Sequence, residues 1–258
     1  MNALTVAVKV DARDLQSTAE VIASLPVSVT VTMTDPADLV VLSGGPGWTR
    51  VASNEVRDGA RGVVVIRPTA ESTSELLDVA RSHGAPVVLA HRWASNAALP
   101  LAQSELRASN GGISFADLSA TVESSADFPA ALDELRLIAS GLLGPIDDLE
   151  YLASNEMTLL ATSHVSDETT PVTFTVLRTP AGAYPVSARI VAATGSIELQ
   201  IPDPTTAAPA TLSSTTDAGL TINPLVFETS QRSAWRTAIR LVRSGGRSDD
   251  LLAWSDSV

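Results

Sequence analysis

The residues best placed for chemistry in this chain stand just after short, wholly apolar runs. Arg67 follows Val63 to Ile66, His91 and Arg92 follow Pro86 to Ala90, and the loop Ser43-Gly44-Gly45-Pro46-Gly47 follows Leu39-Val40-Val41-Leu42. Such runs, bounded by turn residues, read as strands buried on both faces of a parallel sheet. Ligands of open α/β sheets bind at the carboxyl ends of their strands, so Arg67, His91 and Arg92 are candidates to line one crevice. Arg67 suits an anion or an oxygen but stays protonated, which bars it from carrying a proton. An ion pair is the plainer reading of Arg67, and a satisfied interdomain histidine that of His91. Gly44 and Gly45 offer backbone amides that cradle an anion, although Pro46 removes one donor and a tight turn explains the glycines equally well.

Other chemistry is thinly represented. Lys9 is the single lysine of the chain, and late in a first strand it either points into the crevice or leaves the sheet toward water. His83, ahead of Gly84, suits the negative end of a helix dipole. His164 stands alone without a second ligand at metal spacing. There is no cysteine, which excludes a disulfide framework, a thiolate nucleophile and a cysteine metal site. No Walker loop, Gly-x-Ser-x-Gly or His-Glu-x-x-His is present, and the acids Glu123, Asp147-Asp148 and Asp249-Asp250 are scattered in loops. The formal net charge of -12, with no basic stretch, opposes a nucleic-acid partner. No apolar run reaches membrane-spanning length and no signal peptide is evident, so the expected setting is cytoplasmic, without a membrane partner.

The elements that position these residues follow from periodicity. The 258 residues suffice for two modest domains. Leu4, Val6, Val8 and Val10 alternate as a strand; Leu15, Ala19, Ile22 and Leu25 recur at helical spacing until Pro26; and Val27, Val29, Val31 and Met33 alternate again. A helix over Trp48 to Val56 comes before the Val63 strand. Ser72-Thr73-Ser74-Glu75 has capping-box spacing for the helix that Gly84 ends. Strands alternating with helices over residues 1–94 predict a doubly wound parallel sheet with right-handed crossovers. From residue 95 the pattern changes to two helices, through Leu106 and over Phe128 to Leu142, and a strand between them. Consecutive strands follow between Asp148 and Ile201, with turn residues such as Pro180, Gly182 and Gly195. Residues 95–258 thus read as an α+β domain with a mainly antiparallel open sheet. Pro202 to Thr216 reads as a Pro/Thr/Ala-rich loop, and a helix over Ser230 to Arg243 closes the chain.

The order of these pieces resembles the glucose-fructose oxidoreductase and inositol dehydrogenase family, Gfo/Idh/MocA. Asp35-Pro36-Ala37-Asp38-Leu39-Val40-Val41-Leu42 is similar to its "DPDVDAVVIAT", Ile66-Arg67-Pro68 to its Glu-Lys-Pro, and Val88-Leu89-Ala90-His91-Arg92-Trp93 to its "VGHNRRF". Leu106 to Ala120, Asp133-Glu134-Leu135-Arg136 and Ala193 to Leu199 match later family segments, and the second of these makes Asp133 a further ligand-binding candidate. The resemblance implies a dinucleotide-binding domain, a C-terminal sheet that pairs subunits, and hydride transfer between NAD(P) and a sugar or polyol.

The chain departs from that pattern at the chemistry. Arg67 replaces the family lysine, Ala130 falls at the position of the proton-exchanging histidine, and the family aspartate falls on Ala126 with Asp127 beside it. The first turn, Val10-Asp11-Ala12-Arg13-Asp14, lacks the Gly-x-Gly-x-x-Gly glycines that let backbone amides approach a pyrophosphate, and its two carboxylates repel one. The stretch before Asp35 is too short for the family's extra helix and strand. The expectation is an oxidoreductase-like protein without NAD(P) binding or catalysis. It would act as a structural or regulatory subunit, or as a module for a small sugar or polyol, paired through its C-terminal sheet with itself or with a related dehydrogenase. The alternative is an active NAD(P)-dependent oxidoreductase with Arg67 as electrophilic support.

Overall fold

The computed structural model describes residues 3–25, 27–108, 112–124, 126, 128–166, 170–180 and 184–255. Pro26, Asp127 and Gly182, each given a part in the sequence reading, lie outside them. The chain forms two compact units, one of Met1–Ser95 with Ser230–Val258 and one of Asn96–Thr229.

The first unit is built on five parallel strands: β1 Leu4–Lys9, β2 Val29–Val31, β3 Leu39–Ser43, β4 Val63–Ile66 and β5 Val87–Ala90, in the order β2-β1-β3-β4-β5. The reversal of order between β1 and β3 is the topological switch point of such a sheet. Every residue of β4 and β5 is buried, as their uninterrupted apolar sequence requires. Helices α2 Trp48–Arg57 and α3 Ser74–His83 pack against each other, α2 also against β3 and β4. Helices α1 Ala12–Ala23 and α6 Ser230–Ser244 contribute to a second core, in which Val21 and Leu25 join Val6, Val41, Trp235 and Val242.

That second core explains why the chain returns. Strands β4 and β5 carry apolar side chains on both faces, and α6 packs on both of them. Residues 230–258 therefore belong with the first ninety-five, although the sequence reading assigned everything after residue 94 to the second domain. Nor does the helix at Ser230 close the described chain. A short helix, α7 Asp250–Ser255, follows it and packs on β5 and α3.

The second unit carries α4 Ala98–Ala108 and α5 Phe128–Leu143 against an eight-stranded sheet: β6 Ile113–Glu123, β7 Glu150–Ser154, β8 Thr158–His164, β9 Pro171–Thr179, β10 Val186–Ala192, β11 Gly195–Ile201, β12 Thr211–Thr216 and β13 Gly219–Ile222. Its order is β13-β12-β11-β10-β6-β9-β8-β7, antiparallel except for the parallel pair β6 and β9. Alternation is regular. Ala116, Leu118, Ala120 and Val122 of β6 are buried, and so are Val172, Phe174 and Val176 of β9. The opposite face is rich in Ser and Thr and partly exposed, with an Arg189–Glu198 ion pair.

Three local expectations change. Pro202 to Thr216 is not all loop, since β12 begins at Thr211 and pairs with β13. The second strand is confined to Val29–Val31, with Val27 and Met33 exposed. The capping box does not form: Thr73 is the N-cap without a side-chain cap bond, and Glu75 instead accepts from Arg57 at 2.7 Å.

Candidate functional site

The switch point brings together the end of β3, the start of α1 and the residue after β4. Their arrangement depends on which face α1 buries. The apolar residues Leu15 and Ala19 are exposed, and the buried stripe is Asp14, Thr18 and Val21, continued by Leu25. This stripe lies one residue away from the sequence reading, and it places a carboxylate inside the fold. Asp14 pairs with the Arg67 guanidinium through Nη2, and its other oxygen accepts from Ser43 Oγ at 2.6 Å. Ser43 Oγ in turn accepts the Asp11 amide at 3.0 Å. A buried charge is tolerable when it is paired and hydrogen-bonded on its remaining lone pairs, and here both conditions hold.

Arg67 occupies the left-handed region at φ 50, the one described non-glycine residue that does so. A bulky side chain in that region is strained by roughly 1 kcal/mol or more. Its amide donates to Ala90 O at 3.0 Å, which holds the residue in the β4–β5 ladder. Burial pulls the guanidinium pKa down, Asp14 pushes it back up, and Arg13 and Arg92 add to the lowering. It remains a cation at neutral pH.

The glycine loop is built for its own backbone. A Cβ on Gly44 would lie 2.3 Å from Pro68 Cα and 2.6 Å from Arg67 O, so the close passage of two chain segments requires glycine there. Gly44 donates to Ile66 O at 2.7 Å and accepts from the Thr69 amide at 2.7 Å, extending the β3–β4 pairing. Gly45 faces open space. Gly47, at φ 83, is the N-cap of α2. The donors at the start of that helix already have an acceptor: Glu71 takes the Gly47 amide and, at 3.1 Å, the Thr49 hydroxyl. A helix start with a glycine loop attracts anions, and in this chain the anion is Glu71.

The remaining candidates have surroundings of their own. The His91 ring stacks on Trp254 of α7 with centroids 5.1 Å apart, and desolvation lowers its pKa to about 4. The Arg92 guanidinium lies 4.6 Å from the centroid of the Trp93 ring. Asp133 belongs to the other unit, half-buried on α5. Lys9 binds both oxygens of Glu55 at 2.8 Å, which raises its pKa and fits an exposed ion pair. His83 accepts the helix-end role, with Nδ1 3.0 Å from Val79 O. His164 is exposed on β8. No metal-binding group of acids and histidines occurs among the described residues, and no described helix is long and apolar enough to cross a membrane.

The residue that sequence reasoning missed is Asp14. Both turn acids register as repulsion toward a diphosphate, but only Asp14 has a counter-ion within the fold. The available signal was the stripe Asp14, Thr18, Val21, Leu25, at helical spacing. For NAD(P), this edge is a poor fit. A phosphate brought to 4 Å from Asp14 meets a like charge, on the order of 4 kcal/mol at an intermediate dielectric, and Arg67, the cation that would offset it, is already engaged.

No protein-family model matches this sequence, and no curated protein matches it. Solved structures do. The UDP-N-acetylglucosamine 3-dehydrogenase GnnA from Acidithiobacillus ferrooxidans superimposes with a TM-score of 0.74 at 11% identity, covering 100% of this chain and 95% of that one. A mutant of the 3-ketoreductase KijD10 from Actinomadura kijaniata, in complex with TDP-benzene and NADP, gives 0.72 at 14% identity over 99% and 94%. The D-galactose-1-dehydrogenase from Rhizobium etli gives 0.70 at 15% over 100% and 94%. With the parallel sheet first, the larger mixed sheet second and full-length correspondence to these dehydrogenases and reductases, the chain has the fold of the Gfo/Idh/MocA oxidoreductases.

Proposed function

We propose that this chain is an oxidoreductase-like protein that has given up NAD(P) binding and catalysis and acts as a structural or regulatory subunit or a ligand-binding module. The observation that carries this reading is the Asp14 carboxylate, buried at the start of α1 and joined to Arg67 and Ser43. A dinucleotide's diphosphate needs glycine-lined amides and a net positive field at that point. This chain offers Asp11, Arg13, Asp14 and Arg67, whose formal charges cancel. The second anion-binding feature, the α2 start, is engaged by Glu71. Arg67 stands at the strand end that resembles the family's Glu-Lys-Pro and cannot exchange a proton. For the subunit role, the Ser/Thr-rich open face of the eight-stranded sheet is the surface through which the chain would pair with itself or with a related dehydrogenase.

Calorimetric titration with NADH and NADPH tests the first part: no heat of binding is expected up to millimolar cofactor. Micromolar binding would return the chain to the active oxidoreductases. That second reading draws on the left-handed backbone at Arg67, since strain of this kind collects at functional sites. Light scattering on the purified chain tests the subunit role, with a defined oligomer or a complex with a dehydrogenase expected and a bare monomer counting against it.

A further inference from the structure

Within the second unit, helix α4 packs on strands β11 and β12. Cross-strand partners share one face of a sheet, so the register sorts the residues on the helix side into rows. The row Ala188, Leu199 and Leu212 is apolar and buried throughout. The next row, Ile190, Ile197 and Ser214, ends on a hydroxyl, and the one after, Ala192, Gly195 and Thr216, has no large apolar side chain at all. Glycine is required in that last row, because a Cβ on Gly195 would overlap Thr215 O of the adjoining strand. The sheet surface therefore falls away toward the β10–β11 turn, and the end of α4, through Glu105, Leu106 and Ala108, stands over the space that is left.

The resulting hollow has a volume of about 160 Å³, enough for a benzene-sized group. Its lining divides by chemistry. Leu106, Ile190 and Ile197 supply apolar surface, Thr194 and Ser214 supply hydroxyls, and Glu105 supplies a carboxylate. Glu105 is half-buried and has no hydrogen-bond or ion-pair partner among the described residues. No Arg, Lys or His lines the hollow among them either. In this it differs from Asp14 and Glu71, whose oxygens are taken up by groups of the chain itself. A charge drawn partly out of water is favourable only when it is paired, and an ammonium group would pair it through charge-assisted hydrogen bonds. A small apolar cavity with a few convergent polar groups is the usual form of a small-molecule site.

We propose that this hollow binds a small primary amine, with its ammonium on the Glu105 carboxylate and a body of about one ring against Leu106, Ile190 and Ile197. The carboxylate sets the charge of the ligand and the volume sets its size. Every residue involved belongs to the second unit, so the proposal is independent of whether the first unit binds cofactor.

The test uses three probes of one shape and different charge, benzylamine, benzyl alcohol and benzoate, titrated at neutral pH into the full chain and followed by amide chemical shifts. Benzylamine is expected to bind, benzyl alcohol to bind more weakly and benzoate not at all, with shifts centred on Leu106, Ile190 and Ile197. Glu105→Gln should weaken benzylamine about fivefold and leave benzyl alcohol unchanged. Ser214→Leu, which fills the hollow, should abolish binding of both. Should that variant melt early, Glu105→Gln decides alone, since it alters charge at constant shape. Absence of benzylamine binding, benzoate binding as tightly as benzylamine, equal benzylamine affinity in Glu105→Gln, undiminished binding in a folded Ser214→Leu, or shifts confined to the first unit would each overturn the proposal.

Discussion

At the carboxyl edge of the parallel sheet, Arg67 faces Asp14, Lys9 faces Glu55 and the start of α2 faces Glu71. At the amino edge, four arginines of α6 line an open groove together with Leu25, Val27 and Ser28. The first edge is where open α/β sheets hold their ligands; the second is not. At the carboxyl edge the cation and the helix start are both answered by carboxylates of the chain itself, so a cation at a favoured position is not by itself the mark of a ligand. Asp14 and Glu71 are fixed internal anions, and they satisfy the features that a bound phosphate would otherwise satisfy.

The charge balance at the carboxyl edge hangs on Asp14. Asp14→Ala leaves Arg67 partly buried without its partner and should cost about 3 kcal/mol in urea unfolding. Adding Arg67→Leu should recover much of that loss, because removing both charges also removes the desolvation of each. The single variant should also acquire measurable pyrophosphate binding at this edge, and failure to do so would mean that Asp14 is not what keeps anions away.

Gly44 and Gly45 separate packing from ligand binding in the loop after β3. Gly44→Ala drives a Cβ into Pro68 and the Arg67 carbonyl and should destabilise by about 2 to 3 kcal/mol. Gly45→Ala meets open space and should be close to neutral. Equal effects would return the loop to a ligand-binding rather than a packing role.

Two buried ionisable groups add a dependence on pH. The folded state holds His91 at a pKa of about 4, below its ordinary 6.5. As pH falls from 6.5 toward 4, the unfolded chain takes up a proton that the folded chain refuses, so stability falls, by at most about 1.4 kcal/mol per pH unit. His91→Gln should flatten that slope in denaturant titrations. Asp250 has the opposite sign. Burial raises its pKa above 3.8, against the Leu89 amide and Ser248 bonds that lower it, so its contribution is lost as pH rises through the raised value. Asp250→Asn, which keeps an acceptor for the Leu89 amide, should therefore be more stable than the wild type at neutral pH, with the difference fading in acid.

Much of the first unit was legible in the sequence, because strands buried on both faces must be written as apolar runs. Val63 to Ile66 and Val87 to Ala90 allow no other reading in an α/β chain. The position of Arg67 at a strand end followed from the same logic. Asp14 was hidden because helix α1 exposes Leu15 and Ala19 and buries a polar stripe, against the usual pattern. Strands β12 and β13 were hidden for a related reason: Thr211–Thr216 and Gly219–Ile222 lie at a sheet edge, where only one face or neither is buried and alternation fades. The place of α6 was beyond local pattern altogether. Its apolar face is plain in sequence, but which sheet it covers is a long-range fact.

That return of the last segment sets an order on how the molecule comes into being. The ribosome releases the five parallel strands early, yet the side chains that α6 shields stay exposed until the whole of the other unit has been synthesised. Strands β4 and β5 thus wait as a greasy surface for their lid, a target of chaperones during synthesis and of proteases in any chain cut short before Ser230.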